Sequence, residues 1–206
     1  MKRKLLIIGA SGHGKVSADI AAKMNKWKNI AFLDDNQAVT IFMGINVIGK
    51  SNDFEAYIQE ADFFVAIGNN KIRETILNKI IAKNASVTTL VHPNVVIGTD
   101  VSIGAGTVIM AGAVINCCSS IGKGCIINTG CSVDHDNIIS DYVHLSPGTH
   151  LAGNVKVGTS SWLGIGSIVS NNVNICAHCK TGAGAVVVKD INMAGTYVGV
   201  PAKKIH

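Results

Sequence analysis

Apolar positions follow two different rules along this chain. Up to about residue 88 they come in short runs separated by more polar stretches. Lys4 to Ile8 is a run of strand length, followed by Gly9-Ala10-Ser11-Gly12-His13-Gly14. From Lys15 to Met24, Val16, Ile20 and Met24 stand four apart, the spacing of one helix face. Asn29 to Leu33 reads as a second strand ending in Asp34-Asp35. Asp53 to Gln59 reads as a short helix, and Asp62 to Ile67 as a third strand ending in Gly68-Asn69-Asn70. Lys71 to Lys83 reads as a helix and Ser86 to Leu90 as a last strand. Strands that alternate with helices predict a small parallel sheet, a Rossmann-like α/β domain over residues 1–88.

From residue 89 onward the pattern changes period. Stepping by six from Val91 gives Ile97, Ile103, Ile109, Ile115, Ile121, Ile127, Val133, Ile139, Leu145, Leu151, Val157, Leu163, Val169, Ile175, Thr181 and Val187. Thr181 alone breaks the aliphatic series. Four places after the aliphatic residue stands a small or β-branched one, as at Thr107, Ala113, Ser119, Cys125, Val143 and Ser161. Gly often follows the aliphatic residue directly, as in Ile103-Gly104 and Val157-Gly158. A period of six matches neither a helix at 3.6 nor a strand at 2. It fits a coil with short flat faces and a turn after each, the aliphatic side chain pointing inward. Gly and Asn are expected to allow positive φ in the turns. One coil cannot bury its own face, so coils must stack and share a core. Residues 89–206 are therefore expected to form an all-β parallel β-helix with a C-terminal tail.

The composition rules out several function classes. The chain is apolar, but its least charged stretch, Leu90 to Ile121, is broken throughout by Gly, Asn, Thr and Ser. A spanning helix needs about 20 mostly apolar residues, so no membrane span is expected. The N-terminal apolar run is interrupted too early for a signal peptide, and a cytoplasmic protein is expected. A net charge of +5 without a dense Lys/Arg block argues against nucleic acid, while suiting phosphorylated ligands. The six cysteines read as reduced thiols.

Among groups able to do chemistry, His135 is the candidate base. It is two places past Val133, off the inward phase, and imidazole titrates near neutrality. Asp136 is placed to orient the ring. The competing interpretation is a solvated His–Asp pair on a surface turn. The first loop reads Gly-x-x-Gly-x-Gly, not the dinucleotide order Gly-x-Gly-x-x-Gly. It still joins a strand to a helix, where backbone N–H groups favour phosphate, so Ser11, Gly12 and His13 are candidates. Asp34 and Asp35 are candidates for a ribose or base; a helix cap on a plain scaffold is the alternative. Asn128 is a substrate candidate or a member of an inward asparagine ladder. Cys176-Ala177-His178-Cys179 has no second ligand pair at finger spacing, and Cys179 occupies the inward corner, so no metal is expected.

Five segments in order carry a family resemblance: Gly9–Gly14, Phe32-Leu33-Asp34-Asp35, Ala66-Ile67-Gly68-Asn69-Asn70, Val133-Asp134-His135-Asp136 and Val198-Gly199-Val200-Pro201-Ala202-Lys203. The chain resembles the hexapeptide-repeat nucleotide-sugar acetyltransferases, the group of sialic-acid O-acetyltransferases and of the N-acetyltransferases of bacillosamine and perosamine synthesis. The resemblance implies a left-handed β-helix, a homotrimer, acetyl-CoA bound along the coils and a nucleotide-activated sugar held by the first domain, Asn69 included. It implies His135 as base with Asp136, His144 at the thioester end of acetyl-CoA, a backbone N–H of Gly153 on the acetyl oxygen, and Ile165 with Gly182-Ala183-Gly184 along the pantetheine. N-acetylation of an amino sugar for bacterial surface glycan is the expected reaction. O-acetylation of a sialic-acid-like sugar is the alternative, and a non-enzymatic nucleotide-sugar-binding trimer is the alternative of another class. A hexapeptide carbonic anhydrase would need histidines converging from separate coils, whereas His135, His144 and His150 lie within one coil's length.

Overall fold

The structure is a computed structural model describing residues 4–36 and 38–205. The chain divides into two compact units, Met1–Pro93 and Asn94–His206. In the first unit β1 (Lys4–Ile8), α1 (Gly12–Met24) and β2 (Asn29–Leu33) are followed by a small hairpin, β3 (Ile41–Phe42) and β4 (Ile45–Asn46). A 3-10 helix, Ser51–Tyr57, then leads to β5 (Ala61–Val65), α2 (Asn70–Ala82) and β6 (Ser86–Val87). The sheet order is β2-β1-β5-β6 and every pair is parallel. Strand β1 lies between β2 and β5, and Leu5, Leu6, Ile7 and Ile8 are fully buried. That is why β1 reads as an unbroken apolar run instead of an alternating one. The hairpin has no counterpart in the sequence expectations, because two-residue strands leave no periodicity to read. The expected helix over 53–59 is a 3-10 helix, and the expected last strand stops at Val87.

Two glycines of the first loop have steric causes. Gly9 has φ +109°, and a Cβ there would lie 2.8 Å from the Ala66 carbonyl oxygen. A Cβ on Gly14 would lie 2.2 Å from the Gly9 carbonyl oxygen, so α1 can approach the strand end only without a side chain there.

The second unit is a stack of triangular coils. Two-residue strands recur every six residues, from Val96–Ile97 to Val186–Val187. Each pairs in parallel with the strand 18 residues on, for example Val114–Ile115 with Ser132–Val133 and Ile138–Ile139 with Lys156–Val157. Backbone N–H groups donate up the stack, Val114 to the Cys131 carbonyl at 2.9 Å and Ile138 to Val155 at 2.9 Å. The sixfold aliphatic phase is the interior: Ile109, Ile115, Ile127, Val133, Leu145, Leu163 and Val169 are at most 1 % exposed. Each such side chain contributes about 1.5–3 kcal/mol by leaving water. Thr181 keeps the inward phase by pairing its hydroxyl with Ser167 Oγ at 2.7 Å and accepting from the Gly164 N–H at 2.9 Å.

The turns assign the glycines differently from the sequence expectation. Positive φ falls three places after the aliphatic residue, at Asp100, Gly112, Cys118, Asp136, Asn154 and Asn172 among others. The glycine directly after the aliphatic residue serves another purpose. A Cβ on Gly158 would sit 2.4 Å from the Ala177 backbone nitrogen in the next coil, and one on Gly104 would sit 2.4 Å from that of Lys123. Close approach between coils, not chain reversal, requires glycine there.

The two kinds of glycine respond differently to substitution. Gly158→Ala drives a methyl into backbone that cannot move aside, and is expected to destabilise by about 1–3 kcal/mol. Gly112 has φ +72° with the nearest atom 3.9 Å from its notional Cβ. Asn already occupies the equivalent slot at Asn154 and Asn172. Gly112→Asn should therefore stay within about 0.5 kcal/mol of wild type. Urea midpoints of the two variants measure the difference.

Candidate active site

In the first unit the sequence candidates gather at one sheet edge. The Gly9–Gly14 loop, Asp34-Asp35 and Gly68-Asn69-Asn70 follow the carboxyl ends of β1, β2 and β5, which are neighbours. That edge is where parallel α/β sheets bind ligands. Asp34 ties two of the loops together: Oδ2 accepts from the Ala10 N–H at 2.6 Å and Oδ1 from the Asn36 N–H at 2.8 Å. Asp35 is exposed, with Oδ1 accepting from the Ser51 N–H at 2.9 Å. Asn69 caps α2, its Oδ1 accepting from the Ile72 N–H at 3.0 Å. Ser11 and Gly12 are exposed at the start of α1, and a Cβ on Gly12 would meet nothing within 4 Å. Arg73, 1 % exposed, donates to the carbonyls of Ile67 and Gly68 and to Asn70 Oδ1. Burial, reinforced by the Arg73 guanidinium, pushes His13 down to about 4, so the ring is neutral at pH 7. Its Nε2 is shielded from water and makes no hydrogen bond.

The second unit carries two groups of candidates. On one face of the coil, Ile126, His144, Trp162 and Lys180 are register neighbours in successive coils. His144 and Trp162 stack with centroids 5.2 Å apart and planes 10° from parallel. The Lys180 ammonium lies 4.7 Å from the Trp162 ring centre. Trp162 Nε1 donates to Ser146 Oγ at 2.7 Å, and Asn128 Nδ2 is 3.4 Å from His144 Nε2. Asn128, His144, Trp162, Ile165, Gly182 and Ala183 line one open groove with Ser146 and Lys180. Ile165 is 56 % exposed at this groove, an aliphatic side chain open to an apolar ligand. Trp162 and Lys180 were absent from the sequence candidates. A step of 18 from His144 finds both, because 18 residues is one full coil.

The other group sits at a corner. His135 Nδ1 is 2.7 Å from Asp136 Oδ2, which makes Nδ1–H the donor and leaves Nε2 with its lone pair. Asp136 has φ 59°, the left-handed geometry of every such turn, and this turn brings the carboxylate back onto the ring. The hydrogen bond to Asp136 raises the His135 pKa above 6.5; slight desolvation opposes it, and the Asp134 and Asp136 charges add to it. One coil further, Gly153 lies against the ring: a Cβ there would be 2.6 Å from His135 Cε1 and 2.6 Å from Nε2. The imidazole thus fills the space that a Gly153 side chain would need. His144 and His150 belong to different sheets of the coil, and His150 Nδ1 is 2.8 Å from Ser132 Oγ. Among the described residues no group of three or more His, Cys, Asp or Glu side chains is arranged to hold a metal ion. Cys176 and Cys179 are free thiols with sulfurs 3.4 Å apart.

A left-handed β-helix of stacked hexapeptides with an open groove along one face is the architecture of the hexapeptide acyltransferases. Residues 4–80 match the PglD N-terminal domain family. The chain is similar to the acetyltransferase domain of PglB from Neisseria gonorrhoeae FA1090 in complex with acetyl coenzyme A, at 38 % identity and a TM-score of 0.97, covering 100 % of both chains. It is similar to PerB from Caulobacter crescentus in complex with CoA and GDP-perosamine, at 35 % identity and a TM-score of 0.91, over 98 % of this chain and 97 % of that one. It is 29 % identical over 168 residues to GDP-perosamine N-acetyltransferase of Escherichia coli O157:H7, covering 79 % of this chain and 76 % of that protein. The chain belongs to the family of nucleotide-sugar acetyltransferases that join a PglD-type N-terminal domain to a hexapeptide-repeat β-helix. No helix among the described residues is long and apolar enough to cross a membrane.

The His13 environment has a consequence for stability. Its folded pKa, about 4, lies below the 6.5 of the unfolded chain. The unfolded state therefore binds the proton first, and stability present above pH 6.5 is lost as pH falls toward 4. The full span is worth about 3 kcal/mol. Urea unfolding of the first unit at pH 7.5 and pH 4.5 should show most of this loss, and His13→Gln should flatten it.

Proposed function

We propose that the protein is an acetyl-CoA-dependent N-acetyltransferase acting on a nucleotide-linked amino sugar, with His135 as general base. The observation that carries this reading is the His135–Asp136 hydrogen bond, which leaves Nε2 unprotonated beside a residue without a side chain. Nε2 takes the proton of the sugar amine as the nitrogen attacks the thioester carbonyl; the C–S bond breaks and CoA leaves as the thiolate. Asp136 holds the tautomer and offsets the imidazolium charge. The Gly153 N–H is assigned to the acetyl oxygen, where a donor favours developing negative charge. The groove of His144, Trp162, Ile165 and Gly182–Gly184 is assigned to the pantetheine arm, which its exposed aliphatic residue fits. Ser11, Gly12, His13, Asp34, Asp35 and Asn69 are assigned to the nucleotide sugar, and Asn128 to the sugar near the acetyl group. A complex of a relative with CoA and GDP-perosamine supports that pair of ligands. Bacterial surface glycan is the destination in this reading. The enzyme works as a cytoplasmic homotrimer, since acetyl-CoA and nucleotide sugars are cytoplasmic metabolites and outward aliphatics such as Ile138 and Ile168 stay exposed on the single coil.

His135→Ala should lower kcat by about 10²–10⁴, the range for a lost general base, with KM for both substrates close to wild type. Product mass spectrometry with acetyl-CoA and a panel of GDP-, UDP- and dTDP-amino sugars reads both the rate and the acceptor. Near wild-type turnover by the variant would remove His135 from the mechanism.

The pH dependence has a definite sign. The base must be neutral and its pKa is raised above 6.5. Turnover should therefore fall as pH drops through a value above 6.5, and Asp136→Asn should move that limb down. Light scattering at micromolar concentration tests the trimer, and a fully active monomer would refute it.

A further inference from the structure

The corner residues of the β-helix make a repeated pair of hydrogen bonds. A side-chain hydroxyl at the corner donates to the carbonyl 15 residues on and accepts from the N–H 18 residues on. Thr107 Oγ1 donates to the Gly122 carbonyl at 2.8 Å and accepts from the Cys125 N–H at 2.9 Å. Ser161 Oγ does the same with Cys176 at 3.1 Å and Cys179 at 3.1 Å. These corners are small because the space is closed on all sides: Thr107, Ser119, Thr149 and Ser161 are at most 1 % exposed.

Asn137 stands at the same corner position, wholly buried, one place past Asp136. It reproduces both standard bonds. Oδ1 accepts from the Val155 N–H at 3.1 Å, and Nδ2 donates to the Ala152 carbonyl at 3.0 Å. The Val155 donor fixes which end of the amide is oxygen. The longer side chain then does something no hydroxyl corner does. Nδ2 reaches back into its own turn, to the Asp134 carbonyl at 2.7 Å and the His135 carbonyl at 3.3 Å. The His135 carbonyl also accepts from the Asn154 N–H at 2.9 Å. One amide therefore joins the turn that carries His135 to Ala152 and Val155, the residues on either side of Gly153-Asn154.

We infer that Asn137 is a positioning residue, which sets the height of the His135 turn over Gly153 and so the aim of Nε2. A serine would hold the coil together at this corner, as Ser119 and Ser161 do at theirs. The extra amide hydrogen is needed only to hold the backbone on both sides of the His135 nitrogen. The inference rests on His135 being the base. The charged groups beside the ring are Asp134 and Asp136 on its own turn; the turn below contributes the thiols Cys117 and Cys118, and the turn above Gly153 and Asn154.

The test compares Asn137→Ser with Thr107→Ala, which deletes both bonds at a corner remote from His135. Asn137→Ser should keep the fold and both KM values while kcat falls about 10- to 100-fold, the scale for a misplaced catalytic group. The His135 titration, followed by NMR, should move down toward 6.5 as the ring loosens from Asp136. Thr107→Ala should leave the titration and kcat unchanged. An Asn137→Ser enzyme with wild-type kcat, or one that loses kcat with an unmoved His135 titration, overturns the inference. If Asn137→Ser does not fold, Asn137→Cys serves the same comparison, since cysteine occupies the corners Cys125 and Cys131. His135→Ala run in parallel separates the two ideas. Full activity there defeats the assignment of the base, while the NMR titration still reports whether Asn137 seats the ring.

Discussion

The second unit depends on one constraint, the hydrogen-bonded stacking of each coil on the next at 18 residues. A two-residue strand has almost no stability by itself. It persists because both neighbours in the stack offer N–H and C=O groups at the same height, and because an aliphatic side chain continues a column already dry. The constraint admits little variation. Where coils approach most closely only glycine fits, and where the chain reverses only residues tolerating left-handed φ occur, including Asp136. Side chains outside the column escape these demands, and the groove and the His135 turn are built from them.

The same stacking explains how a site is assembled from residues far apart in sequence. Positions 18 apart become neighbours, so His144, Trp162 and Lys180 form one continuous ladder of stacked groups. His135 meets Gly153 for the same reason. In the first unit, adjacent strand ends do this work, and the candidate ligand residues come from three loops that follow β1, β2 and β5. Several of those side chains also hold the loops in shape, as Asp34 and Asn69 do. A carboxylate that organises a loop also carries negative charge to the rim where a ribose would be recognised.

The electrostatics of the two units differ in kind. His13 is kept neutral by burial beside the Arg73 guanidinium, a setting that accommodates an uncharged ring and anionic ligand groups. His135 is exposed and gains basicity from Asp136. Similar imidazoles are thus tuned in opposite directions by burial in one case and by a carboxylate partner in the other.

The alternation of strands and helices up to residue 88 and the sixfold aliphatic phase after it were legible in the sequence, because burial imposes a period on any chain that forms those elements. His135 and Asp136 were legible for a related reason: they are adjacent, and they fall off the buried phase. Trp162, Lys180 and Asn137 were not picked out. Trp162 and Lys180 matter through neighbours one coil away, and a step of six hides a relation that spans three steps. Asn137 looks from its sequence like a polar lapse in a row of small corners, and only the coordinates show its amide bonded to Asp134, His135 and Ala152. The glycines after the aliphatic residues were assigned to the wrong cause, since sequence shows that a side chain is missing but not which backbone would have met it. Local pattern determines what is buried and where the chain turns. Which groups then face each other is decided by the stacking of coils, a property of the folded whole.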